Sequence, residues 1–84
     1  MNVKILYFAG LRDAVGVGSE NVILPPEMAT VAQVRAHLAA RGESWDALAA
    51  TKNLRAAVNQ HMVDGAASVA DGDELAFFPP VTGG

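Results

Sequence analysis

The chain has 84 residues, six of them basic and nine acidic, a net charge of −3 and no cysteine. One domain of this size buries only about 60–65% of the surface its unfolded chain exposes, so a large enclosed active site is not expected. Scattered Lys and Arg argue against nucleic acid or an anionic membrane as partner, and the missing cysteine excludes disulfides, thiolate metal sites and a cysteine-borne sulfur intermediate.

Residues 2–9 read as a first strand, because Val3, Ile5 and Tyr7 alternate with Asn2, Lys4, Leu6 and Phe8. Residues 10–19 carry three glycines and read as a loop with a helical turn over residues 11–15. A second short strand over residues 20–24 is stopped by Pro25-Pro26. The clearest helix follows: Thr30 and Gln33 form a capping-box pattern, Val31, Val34 and Leu38 make one apolar stripe, and Arg41 and Gly42 mark its end. Residues 44–50 suit a short second helix with Trp45 and Leu48 inward. Leu54, Ala56 and Val58 alternate with Arg55, Ala57 and Asn59 in a third strand, and residues 61–63 pair back as a short edge strand after a turn at Asn59-Gln60. The turn Asp71-Gly72-Asp73 leads into a last strand over residues 74–78, which Pro79-Pro80 ends. Sixteen of the apolar residues are alanine, so few large side chains build the core. This order predicts an α+β domain, compatible with a ubiquitin-like β-grasp, whose mixed sheet packs on one main helix. It is expected to comprise residues 1–78, with residues 79–84 as an extended tail. No run approaches the ~20 apolar residues of a membrane span, and no signal-peptide pattern opens the chain, so the cytoplasm is the expected location.

Parity within the last strand decides which side chains face out. Glu74 belongs in solvent, so Leu75 and Phe77 are assigned to the core and Phe78 to the uncovered face. Lys4 marks the outer face of the first strand and carries Leu6 and Phe8 with it. Leu6, Phe8 and Phe78 then form an exposed apolar patch at the root of Val81-Thr82-Gly83-Gly84, suited to docking. Glycine lets a backbone pass through a narrow channel in a partner, and the two prolines hold the tail extended. Its terminal carboxylate is ionised and unreactive at neutral pH, and must be activated, with ATP as the usual cellular reagent. The chain has no phosphate-binding loop for this, since Gly16-Val17-Gly18-Ser19 lacks the GK[ST] ending. His37 and His61 have no ligand-spaced neighbour, so no metal site is expected. Asp71 and Asp73 are read as turn residues, and Trp45 as packing.

The ending Phe77-Phe78-Pro79-Pro80-Val81-Thr82-Gly83-Gly84, preceded by Asp71-Gly72-Asp73-Glu74, resembles the small subunits of molybdopterin synthase, the MoaD family. The opening Val3-Lys4-Ile5-Leu6-Tyr7-Phe8-Ala9 and the stretch Ala57-Val58-Asn59-Gln60 extend the resemblance over nearly the whole chain. It implies a β-grasp sulfur carrier that binds no cofactor itself. An adenylating enzyme activates the terminal glycine with ATP, and a sulfur donor turns the adenylate into a thiocarboxylate. The tail enters the large subunit of molybdopterin synthase, in a two-plus-two heterotetramer, and gives its sulfur to cyclic pyranopterin monophosphate for the molybdenum cofactor. Carried onto this sequence, Gly84 is the thiocarboxylate site and Gly83 allows its close approach. Phe8, Arg12, Met62 and Phe78 are interface residues with Pro79, Pro80, Val81 and Thr82; at Met62 a leucine is the more familiar occupant. From the residues alone a thiamine-pathway sulfur carrier, a protein modifier and a plain interaction module stay open, although only Lys4 and Lys52 could support chain building by a modifier.

Overall fold

A computed structural model describes residues 1–80. Val81, Thr82, Gly83 and Gly84, expected to form the end of the tail, lie outside the described residues. The elements are β1 (Asn2–Tyr7), α1 (Ala9–Val15), β2 (Ser19–Ile23), α2 (Val31–Ala39), a 3-10 turn (Glu43–Trp45), α3 (Asp46–Ala50), β3 (Arg55–Val58), β4 (His61–Val63) and β5 (Glu74–Phe78). The strands form one mixed sheet in the order β2-β1-β5-β3-β4, with β1 and β5 parallel and the other neighbours antiparallel. This is an α+β fold of the β-grasp kind.

Period-two alternation selects the sheet face that α2 covers. Val3, Ile5, Tyr7, Leu75 and Phe77 are buried there with Val31, Val34 and Leu38 of α2 and with Leu48 of α3. The start of α2 is fixed by a capping box in which the Thr30 hydroxyl accepts from the Gln33 N–H at 3.2 Å, while Gln33 Oε1 accepts from the Thr30 N–H at 3.1 Å. Its apolar stripe is narrow. Beside it Ala32, Ala36 and Ala39 leave an open cleft of ≈ 440 Å³ against Ala56 and Val63.

Two expectations are corrected. The stretch over residues 10–19 is not mostly loop: α1 forms because Leu11 and Val15, one turn apart, are both buried, and Gly16 closes the helix in the left-handed region at φ 85°. The first strand stops at Tyr7 rather than at residue 9, because Ala9 takes φ 53° and turns the chain abruptly into α1. A left-handed alanine costs about 1–2 kcal/mol, which the burial of Leu11 and Val15 offsets.

Two polar devices hold the sheet. At the β3–β4 turn, Asn59 and Gln60 take φ 50° and 70°, as a two-residue type I′ hairpin requires. The Asn59 N–H donates to the Glu74 carbonyl at 2.8 Å, its Nδ2 donates to Asp73 Oδ1 at 3.0 Å, and its Oδ1 accepts from the Glu74 N–H at 3.0 Å. Asn59 thereby ties the hairpin to the start of β5. Asp71 accepts from the Asn2 N–H, and Gly72, at φ 85°, donates to the Asn2 carbonyl at 2.7 Å, so the turn clamps the start of β1. Beyond Asn2, the Met1 amino group donates to the Leu24 carbonyl at 2.8 Å.

The second device is a ring of four side chains. Buried Tyr7 donates its hydroxyl to Glu20 Oε2 at 2.8 Å, and Glu20 accepts both Arg41 N–H groups at 2.9 and 3.1 Å. The Arg41 guanidinium lies 4.4 Å over the Trp45 ring, and Trp45 meets Tyr7 edge to face at 5.5 Å. β1, β2, the chain just after α2 and the 3-10 turn are thus joined.

Burial, then the hydrogen bond and charge of Glu20, push the Tyr7 phenol far above its ordinary range. An unfolded tyrosine ionises near pH ~10, so this contribution to stability is complete below that pH and is lost progressively as the pH rises from there toward the raised folded-state value. As Tyr7 is the only tyrosine, a pH titration of tyrosinate absorbance should show no ionisation at the ordinary pKa until the protein unfolds. Asn59→Ala should destabilise by about 2 kcal/mol in urea unfolding, from two lost side-chain hydrogen bonds. Asn59→Gly keeps the backbone freedom and should lose nearly as much; wild-type stability in that variant would show that the bridging amide is unimportant.

Candidate functional site

The face of the sheet turned away from α2 has no second layer among the described residues. Strand register lays its side chains out in rows, because directly paired residues share a face. The central row runs Ser19, Leu6, Ala76, Ala57, Met62 across all five strands. From Leu6 to Met62 it spans three strand spacings, about 14 Å. Ala76 and Ala57 are buried on this open side between larger neighbours, and Met62 is 53% exposed.

The next row, toward the chain's C-terminal end, holds Phe8, Phe78 and Arg55. The Phe8 N–H donates to the Phe77 carbonyl at 3.2 Å, continuing the β1–β5 ladder by one residue. Phe78 stands directly opposite Arg55. The Phe8 and Phe78 rings meet edge to face, 6.4 Å between centroids at 80°. Phe8 is 47% exposed and Phe78 half-buried, so the patch expected from parity is present, with Phe78 more sheltered than a free surface residue. The cause is Phe8 itself, held over Phe78 by the turn at Ala9. Pro79 and Pro80 are half-buried too.

Arg12 is exposed on α1, one turn beyond Phe8. A Cβ at Gly18 would sit 3.2 Å from Arg12 Nε, so the bare glycine backbone makes room for this side chain. The Gly18 carbonyl accepts from the Tyr7 N–H at 2.9 Å, which places Arg12 beside the end of β1. At the opposite end of the face Lys4 and Glu74 are register partners.

The structure therefore brings Phe8, Met62 and Phe78 onto one face and sets Arg12 at its edge. Sequence reasoning missed Ala57 and Ala76 as the middle of the row, and Arg55 beside Phe78. The alternation in β3 already puts Arg55 and Ala57 on one side, but only the β3–β5 register shows what they face. Among the described residues no group of three His, Cys, Asp and Glu is placed to hold a metal ion, and no helix is long and apolar enough to cross a membrane. The face carries apolar contacts and fixed charge, the means of binding rather than of bond-making.

Comparison with known proteins agrees with this picture. The chain is 43% identical over 82 residues to the molybdopterin synthase sulfur carrier subunit of Escherichia coli strain K12, covering 98% of this chain and 99% of that protein. It is 45% identical over 83 residues to the subunit of the same name from Haemophilus influenzae, again covering 98% and 99%. Among solved structures, a putative molybdopterin converting factor subunit 1 from Pyrococcus furiosus superimposes with a TM-score of 0.80 at 29% identity, over 96% of this chain and 99% of that one. Residues 5–84 match the model of the ThiS family, and with full-length relatives at this identity the chain belongs to that family.

Proposed function

We infer that the chain is the sulfur carrier subunit of a molybdopterin synthase, not catalytic alone, which docks through its uncovered sheet face and delivers sulfur on Gly84. The observation that carries this reading is the full-length identity to two proteins of that name. The apolar row of Leu6 and Met62, with Phe8 and Phe78 at the root of the tail, supports it physically.

Each step follows from the chemistry of a terminal carboxylate. Its oxygen attacks the α-phosphorus of ATP on an adenylating enzyme, pyrophosphate leaves, and an acyl-adenylate forms. Hydrosulfide supplied by a sulfur donor then attacks the acyl carbon and displaces AMP, leaving a thiocarboxylate. This electrophile-then-nucleophile sequence needs no thiol in the carrier, in keeping with a chain that has no cysteine. Inside the large subunit the thiocarboxylate sulfur attacks a carbon of cyclic pyranopterin monophosphate, and water then hydrolyses the acyl–sulfur bond, leaving the sulfur on the pterin and regenerating the Gly84 carboxylate. One carrier supplies one sulfur, so a dithiolene takes two. Residues 79–84 act as the delivered tail, and residues 1–78 as the domain that holds it in place. The ATP that activation consumes supports a cytoplasmic location for the carrier.

Ordering the four residues after Pro80 in a partner costs about 4–8 kcal/mol of backbone entropy. Burying Leu6, Phe8, Met62 and Phe78 offsets this at roughly 2 kcal/mol per side chain. Docking and tail insertion are therefore coupled, and neither alone holds the complex firmly.

Mass analysis and three variants test the reading. After incubation with ATP, an adenylating enzyme and a sulfur donor, intact-mass analysis should show exchange of one oxygen for sulfur. A variant lacking Gly84 should keep its circular dichroism and unfolding midpoint but neither take up sulfur nor support molybdopterin formation; normal transfer by it would refute the assignment. Phe78→Ala should weaken binding to the large subunit while costing only about 1 kcal/mol of stability, chiefly the pair with Phe8. Phe77→Ala, one residue away but 0% exposed, should lose about 3–5 kcal/mol.

A further inference from the structure

We propose that Arg55 is a specificity-determining residue of the docking face, and that the large subunit presents a carboxylate to it. This rests on the docking reading above and adds the chemistry of the surface that is met.

The chain has four arginines, Arg12, Arg35, Arg41 and Arg55. Two of these are engaged within the fold. Arg35 donates to the Leu48 and Thr51 carbonyls at 2.6 and 3.0 Å, and Arg41 is held by Glu20. Arg55 is exposed and forms no ion pair among the described residues. It nevertheless stands directly opposite Phe78, in the row that contains Phe8. The nearest carboxylate along β4 is Asp64, one residue beyond Val63, the register partner of Ala56. Asp64 turns one carboxylate oxygen to its own turn, where Oδ1 accepts from the Ala66 N–H at 2.9 Å, and among the described residues it forms no ion pair with Arg55. Glu74 is four residues from Phe78 along β5, roughly 13 Å away. Among the described residues, this fixed positive charge beside the apolar patch has no ion-pair partner, on a protein whose net charge is −3.

A surface that covers Phe78 also strips water from Arg55. An apolar partner leaves that guanidinium desolvated and unpaired, which disfavours the complex. A partner with a carboxylate in the same place gains a charge-assisted, bidentate hydrogen bond. Arg55 thereby rejects carriers' wrong partners as well as attracting the right one. Sequence alternation alone gives no reason to single it out, because its neighbour on β5 is visible only through the register.

The test is equilibrium binding of the full chain to the large subunit from the same source, at low and high salt, for the wild type, Arg55→Ala, Arg55→Lys, Arg55→Glu and Phe78→Ala. Because Arg55 is exposed, its variants should retain wild-type unfolding midpoints. Arg55→Ala should weaken binding about 10-fold and Arg55→Glu about 100-fold or more, with Arg55→Lys between wild type and Ala. The salt dependence of Kd should be shallower for Arg55→Ala than for wild type, whereas Phe78→Ala should weaken binding with an unchanged salt dependence. If Arg55→Glu binds like wild type while Phe78→Ala binds weakly, the role of Arg55 is refuted and the docking face stands. If Phe78→Ala also binds like wild type, the docking face itself is wrong and Arg55 falls with it.

Discussion

The parallel pairing of β1 with β5 at the middle of the sheet is the constraint from which the other features follow. Parallel neighbours cannot be joined by a tight hairpin, so a crossover must intervene, and here it carries α2 over one face. With Ile5 beside Leu75 and Tyr7 beside Phe77, that face receives the largest core side chains. The residues between them, Leu6 and Ala76, are then turned to the other side. Shifting this register by one would exchange buried and open sets, so the same contacts that stabilise the fold also specify which apolar residues are left for a partner.

Much of this could be read from residue order. The capping box, the Asn59-Gln60 turn and the parity of β5 each depend on interactions between residues only a few positions apart, and each lies where local chemistry puts it. Three features were hidden. α1 is favoured by burial of Leu11 and Val15 against distant strands, which outweighs a glycine-rich composition unfavourable to helices. The early end of β1 depends on the left-handed Ala9, for which alanine gives no signal. Arg55 acquires its interest from Phe78, more than twenty positions along the chain. The roles proposed for Gly83 and Gly84 rest on resemblance rather than on packing.

A carrier without chemistry of its own still needs a stiff body. The four-membered ring of Tyr7, Glu20, Arg41 and Trp45 closes directly behind the docking side, next to Phe8 in the chain. Asn59 does the same for the opposite margin by fastening the β3–β4 hairpin to β5. Met62 and Phe78 are therefore presented from strands that are separately anchored. Little conformational freedom in these strands remains to be lost when the face is covered.

Met1 and Pro80 lie at opposite poles of the molecule. Both central strands run the same way, so β1 leaves the pole where the Met1 amine meets the Leu24 carbonyl, and β5 ends at the other, roughly 20 Å off along the strands. Anything attached before Met1, whether a dye, a purification handle or a solid support, hangs away from the Phe8 and Phe78 end. The carbonyl of Leu24 loses nothing by this, since an amide N–H can donate where the ammonium did. A carrier anchored in this way keeps its Phe8 and Phe78 end turned outward, open to whatever partner is passed over it.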